Sequence, residues 1–317
     1  MTSKGARALA PGLEALAAIA DRTARVREDP VELPHRYRER ADIEVAALLS
    51  AALAYGRVGL FKPKIEGLLA AMAPSPAEFV RRLDVGGARR LLEGFVYRFN
   101  VGTDVAVLLM GMGAALRAEG SLEAWFAEAL ELEGDLRAAL FGFTRRLREA
   151  APLPKLRKAL GPERGLDHLL PRKPGPGAAK RLLLFLRWMV RGPDGVDFGL
   201  WRSVPSSALV IPLDTHVRRV ARRLGLTSRR DLGWRTAEEI TASLRWVDAA
   251  DPVRFDFALC HHGMSGACPV RPVPSLCEVC PVRGSCRVGR RRRPGDGAPG
   301  PARPGLTRQA SRFMNGP

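Results

Sequence analysis

The chain has 317 residues, 46% of them hydrophobic, with 51 Lys and Arg against 33 Asp and Glu and a net charge of +18. That length holds one large core or two modest ones, and the apolar content excludes a chain too polar to fold. The longest uncharged apolar run, Val105 to Leu116, is too short to span a bilayer. No signal peptide is evident, because the basic N-terminus runs into Glu14, Asp21 and Arg22; a cytoplasmic monomer is expected.

In chain order the body reads as all-α. Residues 8–27 suit an Ala/Leu-rich helix with Arg and Glu on its outer face. Ile43, Ala46, Ala47, Ser50, Ala51 and Ala54 recur at helical spacing, and Tyr55-Gly-Arg57 ends that segment. Short helices follow over 58–73, 76–83, 86–95, 102–118, 121–131 and 134–149, with breaks expected at Pro63, Pro74 to Pro76, Gly86–Gly87 and Gly120. Residues 161–179 are rich in Gly and Pro and read as a loop. The segment 179–191 is apolar nearly all round and belongs at the centre. Over 214–225, Val217, Val220, Ala221 and Leu224 face inward and Arg218, Arg219, Arg222 and Arg223 outward. Thr236 and Glu239 have the spacing of a capping box, and a helix over 253–262 leads into a cysteine loop. Phe185 and Trp188, with Trp201, Trp234 and Trp246, are assigned to packing. No run of alternating strands is read.

Cys268, Cys277, Cys280 and Cys286 fall within nineteen positions, separated by eight, two and five residues. In a reducing compartment clustered thiols serve more often as ligands than as disulfides. A C-x-x-C turn lets two thiolates reach one group, so the four suit a single thiolate site holding Zn or a [4Fe-4S] cluster; spacing alone does not separate the two. Cys260, inside a helix, reads as a buried core thiol. The loop carries Arg271, Arg283 and Arg287, which could lie along phosphates. From Arg287 to Pro317 the chain has eight Arg and one acid, Asp296, and is expected to be a disordered basic tail. Eleven of the eighteen net positive charges therefore lie in residues 1–286, which suits a nucleic-acid surface: DNA, with RNA not excluded.

Asp214 precedes a basic helix. An N-cap suffices to explain it, since the carboxylate accepts the first helical N–H groups. The same geometry lets a carboxylate face a developing positive charge, as at the sugar when an N-glycosidic bond breaks.

The stretch Leu213-Asp-Thr-His-Val-Arg-Arg-Val220 with Arg223-Leu-Gly-Leu226 resembles the segment of helix–hairpin–helix DNA glycosylases, endonuclease III-like, that carries their essential aspartate. Leu48-Leu-Ser-Ala51 resembles their early helix, His262-Gly263 the approach to their cluster, and the final cysteine spacing their iron–sulfur loop. The order of these islands matches across about residues 40–286. The chain looks most like an uncharacterised bacterial branch with Ala54-Tyr-Gly-Arg57, Lys180-Arg-Leu and Phe185-Leu-Arg-Trp-Met-Val-Arg191. The resemblance implies a two-lobed helical fold over 1–286, one lobe about 42–160 and the other 1–41 with 177–286, and DNA in the cleft. It tilts the cofactor toward [4Fe-4S]. It implies that Asp214 is catalytic and that Lys180 can form a Schiff base, giving an N-glycosylase with or without abasic-site lyase activity. Gly175, Gly177, Arg181 and His216 would lie along DNA.

Three departures bear on this. The hairpin Pro174-Gly-Pro-Gly-Ala-Ala-Lys180 is one residue too long, and Pro176 lacks an N–H. Lys180 and Asp214 are 34 residues apart, so an insertion around 192–206 must loop out. Ala52 stands where the resembled enzymes have the Gln that fills the hole of a flipped base. A non-catalytic nucleic-acid binder on the same scaffold is the alternative.

Overall fold

The computed structural model describes residues 3–19 and 22–291. The segment expected as one helix over 8–27 is two, α1 (Ser3–Ile19) and α2 (Arg22–Glu28). Single 3-10 turns at Pro30–Glu32 and Pro34–Arg36 lead into α3 (Arg40–Leu53) and α4 (Val58–Ala71). Pro63 does not break α4 but lies within it. Both Pro63 and Gly59, the residue whose carbonyl loses its partner, are exposed, so that carbonyl can turn to water.

Next come α5 (Pro76–Arg82), α6 (Val85–Leu92) and a hairpin of β1 (Val96–Tyr97) and β2 (Asn100–Val101), paired antiparallel with Val96 opposite Val101. The hairpin was not expected, because two-residue strands leave no alternation to read. Then follow α7 (Gly102–Glu119), α8 (Leu122–Glu133), α9 (Leu136–Glu149), α10 (Leu153–Leu160) and α11 (Leu166–Leu169). The loop read over 161–179 thus contains one helical turn. The C-terminal part holds α12 (Lys180–Val190), α13 (Thr215–Leu224), α14 (Trp234–Arg245), α15 (Asp256–Met264) and α16 (Pro274–Glu278). The expected capping box fails. α14 starts earlier, at Trp234, and Thr236 is buried and donates its hydroxyl to Asp231 Oδ1 at 2.6 Å. Glu239 is drawn off to Arg229 at 3.1 Å.

α7 is the axis of the first group of helices and packs against α5, α6, α8, α9, α10 and α11. Gly111 and Gly113 lie directly against the backbone carbonyls of Leu147 and Val80, where a Cβ would collide. They let α9 and α5 approach backbone to backbone. α12 packs on α3, while α13 and α1 pack on α15, and one apolar core runs through all of them. Phe185 and Trp188 are buried as expected, and so are Trp201 and Trp234. Trp246 is 59% exposed at the end of α14, so its assignment to the core is wrong.

Buried carboxylates tie the loops down. Glu44, fully buried in α3, accepts from Ser121 Oγ at 2.7 Å, Leu122 N at 2.8 Å and Trp201 Nε1 at 2.8 Å. One side chain therefore starts α8 and anchors the long connection between α12 and α13. That connection includes residues 192–206, where an insertion was expected, and Val196, Trp201 and Val204 bury against the core. It is held by Arg191, which pairs with Asp197, Asp194 and Asp251. Among the described residues no single helix is long and apolar enough to cross a membrane.

Candidate functional site

Asp214 is the N-cap of α13, and its extended backbone turns the side chain back over the first turn. Its two oxygens do different work. Oδ1 accepts from His216 N and Val217 N, both at 2.8 Å. Oδ2 faces Lys180 Nζ at 3.2 Å and Cys260 Sγ at 3.6 Å. The expected catalytic pair is thus brought together across 34 residues of sequence. Lys180 is the first residue of α12, preceded by Ala179 in the left-handed region at φ 51°. A Cβ makes that conformation costly, and the strain sits beside the lysine.

The pair opens on a cavity of about 190 Å³, lined also by Asp29, Arg187, Asp256, Cys260 and His261. Burial works against the charge of Lys180, yet Asp214 and Cys260 outweigh it and raise its pKa. Burial likewise opposes ionisation of Asp214, but Lys180 and the Val217 N–H prevail, and its pKa falls below the usual carboxylate value. Cys260, expected as a buried core thiol, packs against the core at the cavity wall. It is half-buried with its sulfur on the carboxylate, and burial together with Asp214 and Asp256 pushes the thiol well up.

Asp256 was missed by sequence reasoning. It reads there as an ordinary first-turn acid of α15. Its Oδ2 accepts from Arg187, while its buried Oδ1 has no partner among the described residues. Burial and Asp214, against Arg187, push its pKa up to about 6. The available signal was Arg187 itself, an arginine in an otherwise apolar helix, which demands a buried carboxylate.

The expected DNA contacts divide. Arg181 is half-buried: its guanidinium donates to the carbonyls of Ala52 and His168 and lies 5.3 Å from the Tyr55 ring. Two carbonyls and an aromatic face satisfy it better than an open surface would. His216 is half-buried on the cavity wall, with Nδ1 3.2 Å from Arg219. Gly175 is exposed and its carbonyl accepts from Arg137 at 3.0 Å; Gly177 bridges to Gly233. The adjoining Ala178 N–H is bonded to Leu232 O, so that donor of the expected phosphate-binding turn is used internally. Arg271 is exposed, Arg283 lines the cysteine cavity, and Arg287 packs against Gly225 at the end of α13. Val217, Val220, Ala221 and Leu224 of α13 are buried as expected, and the arginines of its other face are half-exposed. Arg219 donates to the carbonyls of Cys268 at 3.0 Å and Gly263 at 2.7 Å, and Arg218 to that of Arg230.

Cys268, Cys277, Cys280 and Cys286 line one small cavity of about 20 Å³. Arg223 Nη1 donates to Cys268 Sγ at 2.9 Å, and Gly289 N to Cys286 Sγ at 3.4 Å. Burial, and then the other three thiols, raise the pKa of Cys280. Among the described residues no three His, Cys, Asp or Glu side chains converge closely enough for a single metal ion. Gly263 couples the two sites: a Cβ there would stand 2.9 Å from His216 Cβ, so its absence lets α15 press on the start of α13. Residues 287–291, expected as the start of a disordered tail, are instead folded back. Arg287 N donates to Arg223 O at 2.8 Å, and Gly289–Arg291 forms a 3-10 turn. The rest of the expected tail lies outside the described residues.

Residues 29–265 match the family described as "Protein of unknown function (DUF2400)", and the chain belongs to that family. No curated protein and no solved structure matches it.

Proposed function

We propose that this protein is a bilobal helix–hairpin–helix-type DNA N-glycosylase that acts on a base displaced from the duplex. The observation that carries the reading is the Lys180–Asp214 pair at 3.2 Å on the wall of a cavity. An anionic Asp214 Oδ2, held by a helix N-terminus through Oδ1, is placed to stabilise the oxocarbenium-like sugar formed as the glycosidic bond breaks. The electrostatics favour hydrolysis over lyase chemistry. Lys180 is held protonated by its partner, and an ammonium has no lone pair to attack C1′. The protonated lysine then serves to hold the carboxylate and to receive a backbone phosphate. The positive excess of residues 1–286 supports DNA as the partner.

Cys268, Cys277, Cys280 and Cys286 would hold a [4Fe-4S] cluster. Four thiolates are the soft donor set it requires, and N–H···S bonds from Arg223 and Gly289 suit charged sulfurs. The group would supply a structural cross-link between α13, α15 and the terminal loop.

The test is single-turnover base release from duplexes carrying damaged or mismatched bases, with borohydride trapping in parallel. Release without trapping is expected from the wild type, with Asp214→Asn nearly inactive. Salt-sensitive DNA binding with no release from any duplex identifies a non-catalytic binder and refutes the proposal.

A further inference from the structure

The cavity contains a second carboxylate in a different state from the first, and this inference rests on the glycosylase reading above. Asp256 is 3% exposed and lines the same cavity as Asp214 and Lys180. Arg187 occupies its Oδ2, and Oδ1 is the buried oxygen without a protein partner. The charged and titratable groups around it come from several elements: Lys180 and Arg187 from α12, Asp214 and His216 from the start of α13, Asp29 on the same cavity wall, and Asp197 through Arg187. Its own helix adds Cys260 and His261, the latter 3.4 Å from Asp29. Arg187 is itself shared, since it also pairs with Asp197 at 3.1 Å. Arg191 also pairs with Asp197 but is itself shared with Asp194 and Asp251, so two guanidiniums serve four carboxylates, and a fully buried one among them is cheapest as the acid.

We propose that Asp256 is the proton donor of the site, delivering the proton on Oδ1 to the departing heterocycle while Asp214 remains ionised. The C1′–N bond breaks with its electron pair passing to the base. The Asp256 O–H bond breaks, and a new N–H or O–H bond forms on the base at a ring nitrogen or carbonyl oxygen. Water then adds its oxygen to C1′, and one of its protons restores the Asp256 carboxyl. The sum is hydrolysis, with both carboxyl groups returned to their starting states. Two carboxyl groups whose surroundings drive their protonation apart are the arrangement that acid-assisted departure requires. The substrate class is thereby narrowed to bases that leave poorly as anions and carry an acceptor to protonate.

Two measurements on the full chain decide it. In the first, the Asp256 carboxyl carbon is identified in spectra of carboxyl-labelled protein by its loss in Asp256→Asn. It should titrate near pH 6; a carboxyl already ionised below pH 4 overturns the inference whatever the activity. In the second, wild-type base release should fall as pH rises through about 6. Asp256→Asn should lose about 10²-fold or more for a poor leaving base, much less for one that departs readily, and should lose that pH limb. Equal losses for both bases, or rates within threefold of wild type, overturn the assignment and leave the glycosylase reading standing. A wild type that releases no base overturns both. If Asp256→Asn does not fold, the wild-type pH limb decides, and its absence overturns the inference.

Discussion

Replacing Asp214 separates a structural role from a chemical one, because each of its oxygens has its own partners. Asn keeps a carbonyl oxygen for His216 N and Val217 N and loses only the charge facing Lys180. Asn and Asp cap helices about equally well. The ion pair is partly solvated, with the lysine side chain 38% exposed, so its stability contribution is discounted to about 0–1 kcal/mol. Asp214→Asn should therefore cost at most about 1 kcal/mol in urea unfolding. Asp214→Ala loses the cap as well and should cost about 1–2 kcal/mol more. Base release should behave differently. Both variants remove the charge that faces the sugar, and each should fall about 10²–10³-fold or further. Equal stability for Asn and Ala would refute the division between the two oxygens. Full activity in Asp214→Asn would refute the electrostatic role.

Three further outcomes follow from the same geometry. Arg187→Met strips Asp197 and Asp256 of a buried partner and should destabilise the chain by about 3–5 kcal/mol in urea unfolding, whereas a cost below about 1 kcal/mol would mean the network is solvated. The pH dependence of stability should differ between wild type and Asp256→Asn. The folded-state pKa is raised from 3.8 to about 6, so the folded protein keeps a proton that the unfolded chain releases. This group's contribution therefore falls as pH rises from about 4 to about 6 and is flat above, which comparing urea midpoints across that window checks. Anaerobically purified wild type should carry about four irons and four sulfides, and Cys277→Ser should lose them. The same variant should speed hydrogen exchange in α1, because Ser285 Oγ bonds Ala8 O at 3.0 Å and Gly12 abuts Pro281 O. One zinc and no iron would overturn the cluster.

Much of this protein is local and so was legible in the sequence. The helices at 102–119 and 215–224 follow from apolar spacing, and their ends from Gly120 and Gly225 in left-handed turns. Asp214 was marked by its place before a helix, and the cysteines by their spacers. What the sequence left open depends on distance through space. No spacing places Asp256 and Asp214 in one cavity, because α15 reaches α13 only where Gly263 lets it press on His216. No spacing bonds Arg181 to its acceptors, since the carbonyls of Ala52 and His168 come from two remote segments. Nor could sequence say that Glu44 anchors the connection between α12 and α13 through Trp201, 157 residues away. Periodicity encodes which face of a helix is apolar. Which faces meet, and so which buried charges end up side by side, is settled only when the whole core packs.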